Sequence, residues 1–308
     1  MLNELRAIVD YAYNNIPLYR KIYQKKPELN SIADFKSLPY LRISDFMTCN
    51  IEEVISNVDE VATVLPPIEN KTIFPFPRLE STYDRDMRYE IFYYLIEQTG
   101  IKKGSSFVVL TDSSHSYFCG EIVNNLLFYK YPTSMIFVRD HNLNEIQEWV
   151  SKLKPDCLLI GTDKIIEFSH WEIPYIFTIN QYGKNLSNPP LSPFGKGGKF
   201  NTPPLEKGGR GDFRPSSANS VSTFGKSEII KHFDIYAISE IGWVAIRTPE
   251  GHYLYPDDYF YVETDPTDDI LVLTTLANDL QPFIRYKTSD RAKLLNGNRF
   301  QITYIGEH

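Results

Sequence analysis

Residues 106–162 run SFVVLTDSSHSYFCGEIVNNLLFYKYPTSMIFVRDHNLNEIQEWVSKLKPDCLLIGT. Three short apolar runs, FVVL, MIFV and CLLI, are each followed by a longer polar-apolar segment or a turn. Between the first two, Phe118, Ile122, Val123, Leu126 and Leu127 recur at helical spacing, which predicts a helix over 117–129. A second helix is predicted over 143–153, and PYIFTIN at 174–180 supplies one more strand. Strand, helix, strand at these spacings means βαβ crossovers and a mostly parallel sheet with flanking helices. The strands are continuous apolar runs rather than alternating ones, as expected when helices cover both faces.

Outward from this core the pattern changes twice. At the N-terminus, Leu2, Leu5, Ile8, Val9, Ala12 and Tyr13 predict a helix that Pro17 ends or bends. Ser31 is expected to cap a short helix stopped by Pro39, and Ser44 with Asp45 to start another turn. After Asp234 come IYAIS, WVAIRT, YFYVET, ILVLTTL, FIRYKT and FQITYI, separated by turn chemistry such as DPTDD. They predict an antiparallel β region appended to the α/β core. Four sections follow: helical entry 1–100, α/β core 101–187, insertion 188–218, and antiparallel strands 219–308.

The insertion begins NPPLSPFGKGGKFNTPPLEKGGRGD and repeats itself, PPLSPFGKGG then PPLEKGG. A GKGG could cradle phosphate, but no strand precedes it and no helix follows. Its Pro, Gly and Lys content offers too little apolar surface to offset ordering entropy, so it is expected to be disordered.

The bulk numbers exclude several classes. A net charge of −7 argues against a general nucleic-acid binder. Cys49, Cys119 and Cys157 are odd in number and far apart, which fits neither a disulfide framework nor a zinc site and points to a reducing cytoplasm. No apolar run approaches the ~20 residues of a membrane helix, and the first residues carry Glu4 and Asp10, unlike a signal peptide. With 21 Tyr and 19 Phe, many rings must line cores or pockets.

Three blocks in the C-terminal third carry a resemblance. FDIYAISEIG (233–242) is similar to an aromatic-Y-G-x-[ST]-E-x-G block. YLYPDDYFYVETDP (253–266) is similar to H-x-x-E-D-x-F-x-x-E-x-x-D-P. ILVLTTLANDLQPFIRYKTSDRAKLL (270–295) is similar to L-V-x-T-x-L, then P-[LF]-I-R-Y-x-T-G-D. In order and spacing they resemble the adenylate-forming superfamily, in its phenylacetate–CoA ligase branch. LRAIVDYAYNNIPLYRKIY and SIADFKSLPYLRISDF resemble that branch's entry helices. The resemblance implies the large N-terminal domain of that fold.

It also implies roles. Tyr236 would stack on adenine, Ser239 would sit beside the nucleotide, Asp290 would accept from the ribose hydroxyls, and Glu240 would be the catalytic acid that holds Mg²⁺ between phosphates. Tyr117, Phe118 and Tyr182 would shape the pocket for a small, apolar or aromatic carboxylic acid. ATP or AMP would be the nucleotide. The reaction would be carboxylate activation through an acyl-adenylate, then thioester formation on CoA or a carrier protein.

Two departures stand out. Where the family has S-S-G-T-T-G-x-P to grip phosphates, this chain has KTIFPFPRLES (71–81), without a glycine and with two prolines that lack an N–H. At the end, YIGEH stands where the family has a G-R hinge into a small C-terminal domain, so that lid domain is expected to be missing or supplied by a separate chain. Ala237 and Ser289 also replace family glycines. The expectation is a degenerate ligase, impaired on its own. The alternatives are a non-catalytic nucleotide-binding or interaction module (a pseudoenzyme), or the N-terminal half of a split ligase.

Replacing residues 188–217 by a short Gly/Ser linker is expected to change unfolding free energy by less than about 1 kcal/mol, because loop-closure entropy grows slowly with length. Urea unfolding checks this, and loss of the folded baseline would show that the segment packs.

Overall fold

The structure, a computed structural model, describes residues 1–65, 77–112, 116–138, 142–161, 173–179, 231–248, 250–304 and 306. The insertion and residues 71–76 lie outside these. The parallel core is β3 (Phe107–Thr111), β4 (Thr133–Phe137), β5 (Cys157–Gly161) and β6 (Tyr175–Ile179), with α7 (Ser116–Phe128) and α8 (Leu143–Leu153) as crossovers. Pairing in the order β4-β3-β5-β6 is parallel throughout. Phe107 and Val109 pack with Ile122 and Leu126 of α7, while Val108 and Leu110 pack with Ile146 and Val150 of α8. β3 therefore buries successive side chains against different helices, which is why its sequence is apolar without alternation, whereas the edge strand β4 leaves Met135 and Phe137 exposed although its sequence is equally apolar.

The antiparallel strands do not form a separate sheet. β7 (Lys231–Ile238) pairs parallel with β6 on one side and antiparallel with β8 (Gly242–Arg247) on the other. Beyond it follow β9 (Tyr253–Leu254), β13 (Arg299–Tyr304), β12 (Tyr286–Leu295), β11 (Ile270–Thr275) and β10 (Phe260–Thr264), completing eleven strands. Register shifts beside Tyr236 and beside Arg291 are β-bulges, which sharpen local twist and bend.

The N-terminal helices differ in detail from expectation. α1 (Leu2–Asn15) forms as the periodicity predicts, but Pro17 opens a new helix, α2 (Pro17–Tyr23), at a first position where its missing N–H costs nothing. α3 (Ile32–Lys36) has Ser31 as its cap in a full capping box with Asp34. α4 (Ile43–Phe46) starts one residue before Ser44, with Asp45 reaching back to the Arg42 N–H. The FIRYKT strand begins at Tyr286 rather than Phe283, because Arg285 adopts a left-handed φ of 52°. A short hairpin, β1 (Thr63–Leu65) with β2 (Arg78–Glu80), was not foreseen.

Helix α6 (Thr82–Glu97) is the main link between the halves. Its Phe92 ring lies 5.1 Å from Trp243 of β8. Asp84, itself buried, accepts from the Ser81 N–H and hydroxyl at 3.0 Å each. The same carboxylate accepts from Asp279 N at 2.8 Å and Leu280 N at 3.2 Å. One side chain thus caps a helix and ties down the loop between β11 and β12.

Cys119 and Cys157 are buried and Cys49 is half-buried, none in a disulfide. Burial pushes the Cys119 thiol up to about 12 and raises that of Cys157 as well. At pH 8 a disulfide reagent is therefore expected to modify Cys49 first and to reach the other two only after denaturant is added. Rapid modification of all three in the native protein would contradict this packing.

Candidate functional site

The strand end that follows β7 carries Ser239, Glu240 and Ile241 in a tight turn. In an open α/β sheet, the carboxyl ends of parallel strands are where ligand-contacting groups gather. Gly242 closes the turn at φ +100°, and a Cβ there would fall 2.3 Å from a nitrogen of the Arg78 guanidinium. Glycine is favoured because φ +100° is a backbone conformation that other residues rarely adopt, and the end of the Arg78 side chain would also have to shift.

Glu240 is 5% exposed. The Tyr286 hydroxyl donates to its Oε1 at 2.5 Å. Burial, with the Glu240 charge behind it, pushes the Tyr286 hydroxyl far above its ordinary range, so it stays a donor. No further hydrogen bond among the described residues reaches Oε2.

Tyr236 and Asp290 are also brought together. The Tyr236 hydroxyl donates to Asp290 Oδ2 at 2.5 Å, and the Gly306 N–H donates to Oδ1 at 3.1 Å. Asp290 is fully buried and Tyr236 is 2% exposed. The Tyr236 ring meets Tyr253 and Phe300 edge-on, with centroids at 5.7 and 5.9 Å. In this arrangement neither residue presents an open face, and a ribose or adenine would have to displace what covers them. Ser239 is half-buried beside Glu240. Tyr117 and Phe118 lie in the first turn of α7 but their side chains, and all of Tyr182, are outside the described residues.

Sequence reasoning missed the charged cluster under the turn. Arg88 Nε donates to Glu80 at 2.8 Å, and its Nη1 lies 2.9 Å from Glu121. Arg78 Nε is 3.2 Å from the same Glu80. β2, α6 and α7 are thereby pinned together. A cavity of about 10 Å³, bordered by Glu80, Asp84, Arg88, Ile241 and Trp243, has room for about one water and not for an organic ligand.

Arg285 braces the strand that carries Tyr286. Its Nε donates to Glu263 at 2.7 Å and its Nη1 to the carbonyls of Lys36 and Leu38. It also lies 4.3 Å from the centre of the Tyr40 ring. Burial raises the Glu263 carboxyl despite this partner. Leu41 of the entry segment pairs with Tyr286, donating to Arg285 O at 3.0 Å and accepting from Lys287 N at 2.9 Å. The left-handed Arg285 is local strain held by these contacts. The signal was available, since both residues lie inside FIRYKTSD, but their burial was not.

As for a cation, no group of three His, Cys, Asp or Glu among the described residues forms a protein cage. Among the described residues, Glu240 has one carboxylate oxygen without a donor. That suits Mg²⁺ held by one or two carboxylates together with phosphates and water.

Comparison with solved structures adds the fold. A 2-hydroxyisobutyryl-CoA ligase in complex with 2-HIB-AMP and CoA, in its thioesterification state, matches over 98% of this chain with a TM-score of 0.66. The fold is that of the adenylate-forming CoA ligases. Identity is 14%, and the match covers 65% of the ligase, so the chain spans under two thirds of its length. An open conformation of the same ligase matches with a TM-score of 0.67 at 13% identity, covering 98% of this chain and 72% of the ligase. The unliganded O-succinylbenzoate coenzyme A synthetase of Bacillus subtilis is a weaker likeness, with a TM-score of 0.45 at 9% identity, over 79% of this chain and 51% of that one. No protein-family model matches the chain, and no curated protein matches it by sequence. Among the described residues, no helix is long and apolar enough to cross a membrane.

Arg285→Ala is expected to destabilise this adenylate-forming fold by about 3–5 kcal/mol, because it leaves Glu263 buried without its partner. Arg285→Gly should be less damaging by about 1 kcal/mol, since glycine carries no left-handed penalty. Urea unfolding of both variants checks this, and equal values would remove strain from the account.

Proposed function

We propose that this chain binds an adenylate at the carboxyl end of β7, with Glu240 turned toward the phosphate side. The observation that carries this is Glu240 itself: a buried acid on the β7–β8 turn of an adenylate-forming fold, held at one oxygen by Tyr286 and without a second donor among the described residues. The ligase of like fold that carries 2-HIB-AMP and CoA supports the ligand class. Tyr236 and Ser239 would then lie on the adenine side, and Asp290 would take the ribose once the Gly306 segment moves aside. Tyr117, Phe118 and Tyr182 would border the acid, which by their character is apolar or aromatic. If Mg²⁺ accompanies the nucleotide, Glu240 would hold it, and the ion would offset phosphate charge.

The family's reaction is carboxylate activation by ATP, followed by transfer to CoA or a carrier protein. In this chain the segment KTIFPFPRLES, which aligns with the family's phosphate loop, has no glycine and two prolines that lack an N–H, so its sequence provides fewer backbone donors for a developing charge. That favours a second reading for the isolated chain, binding without efficient adenylation.

Calorimetric titration separates these readings. AMP or a non-hydrolysable acyl-adenylate mimic is expected to bind at least as tightly as ATP, and Asp290→Ala to cost about 1–3 kcal/mol of that affinity, the usual price of a lost charged acceptor. Acid-dependent pyrophosphate exchange should be slow or undetectable. Robust exchange, abolished by Glu240→Gln, would establish an efficient ligase with a different phosphate grip. Absence of binding by all three ligands would end the nucleotide reading.

A further inference from the structure

Three tyrosine hydroxyls on the antiparallel half donate to buried carboxylates. Tyr253 donates to Asp234 Oδ2 at 2.8 Å, while Thr178 fills Oδ1 at 2.6 Å. Tyr236 donates to Asp290 Oδ2, while Gly306 N fills Oδ1. Both aspartates therefore have a donor on each oxygen, as a buried structural carboxylate should. Glu240 differs. Tyr286 takes Oε1, and Oε2 has no donor among the described residues.

We infer that Tyr286 is the positioning residue for Glu240, fixing one oxygen so that the other is presented to a divalent cation carried by a nucleotide. This rests on the adenylate reading of the site. The chemistry favours tyrosine for the task. A neutral hydroxyl orients the carboxylate without cancelling its charge, whereas Arg or Lys at the same place would form an ion pair and compete with the cation. The surroundings favour it too. The Tyr286 ring stands edge-on to Phe283 at 5.4 Å, and its backbone is paired to Leu41 and preceded by the left-handed Arg285. A hydroxyl so fixed can hold its partner in one rotamer. The aim of Glu240 thus depends on the entry segment, through Leu41, as well as on its own turn.

The test uses the full chain, Tyr286→Phe, Glu240→Gln and the double variant. Mn²⁺ is titrated into each in the presence of ATP, and bound ion is followed by electron paramagnetic resonance. AMP affinity is measured separately in EDTA. Tyr286→Phe is expected to weaken retained Mn²⁺ by about tenfold or more, the usual effect of removing a ligand's hydrogen-bond partner. Metal-free AMP affinity should change by less than about twofold, and adding Tyr286→Phe to Glu240→Gln should have no further effect, because both act through one carboxylate. Unchanged Mn²⁺ affinity in Tyr286→Phe, or full additivity, would overturn the inference. So would a wild-type chain that binds AMP yet retains no Mn²⁺ with ATP, and this leaves the adenylate reading standing. A wild-type chain that binds neither nucleotide would overturn both. Should Tyr286→Phe fail to fold, Glu240→Asp keeps the charge but withdraws the carboxylate from the hydroxyl. It is expected to lose Mn²⁺ to a similar degree, and wild-type Mn²⁺ affinity in that variant would refute the positioning role.

Discussion

The hydrogen bond from Tyr236 to Asp290 joins strands that are four places apart in the sheet, β7 and β12, with β8, β9 and β13 between them. In a flat sheet those strands would stand on the order of 20 Å apart at the usual strand spacing. A 2.5 Å contact requires the antiparallel half to curl until its inner face meets itself. Two bulges supply bend, and Tyr236, Tyr253 and Phe300 fill the inside, the last two stacked at 5.4 Å. The same curl brings Tyr286 over the turn that carries Glu240. Without it the candidate site would be two distant strand ends.

The curl is held from outside by buried charge. Arg285 clamps the start of β12 to Glu263 and to the entry helices, and Asp84 clamps the loop before it to α6. Such groups are costly to bury, and removing one partner strands the other. They confer geometry more than net stability. The site therefore inherits its precision from parts of the chain far away in sequence, including the segment around Leu41.

Much of the fold was legible because its signals are local. Continuous apolar strands and the helical face of residues 117–129 gave the parallel core, and the strand-turn repeats after Asp234 gave the antiparallel strands. That these form one sheet was not legible, since β7 looks the same whether its second neighbour runs parallel or antiparallel. The start of β12 was misplaced by three residues because nothing local announces a left-handed arginine, and the brace that stabilises it lies in residues 36–40 and 263. For the site, Glu240, Tyr236 and Asp290 were singled out by their motifs. Tyr286, the partner of Glu240, was not, nor was the pairing of Tyr236 with Asp290: a tyrosine hydroxyl finds its acid only after folding. The sequence also gave no sign that Asp290 would be enclosed by Gly306, a contact made across the final strand pair.

The most direct measurement is photo-crosslinking with 8-azido-AMP, followed by tryptic digestion and peptide mapping. A ligand seated at the end of β7 should label the peptide 232–247, which contains Tyr236, Ser239 and Glu240, or the peptide 288–291, which contains Asp290. Excess AMP should protect both. Specific, AMP-protected labelling confined to the N-terminal helices would contradict the placement of the site.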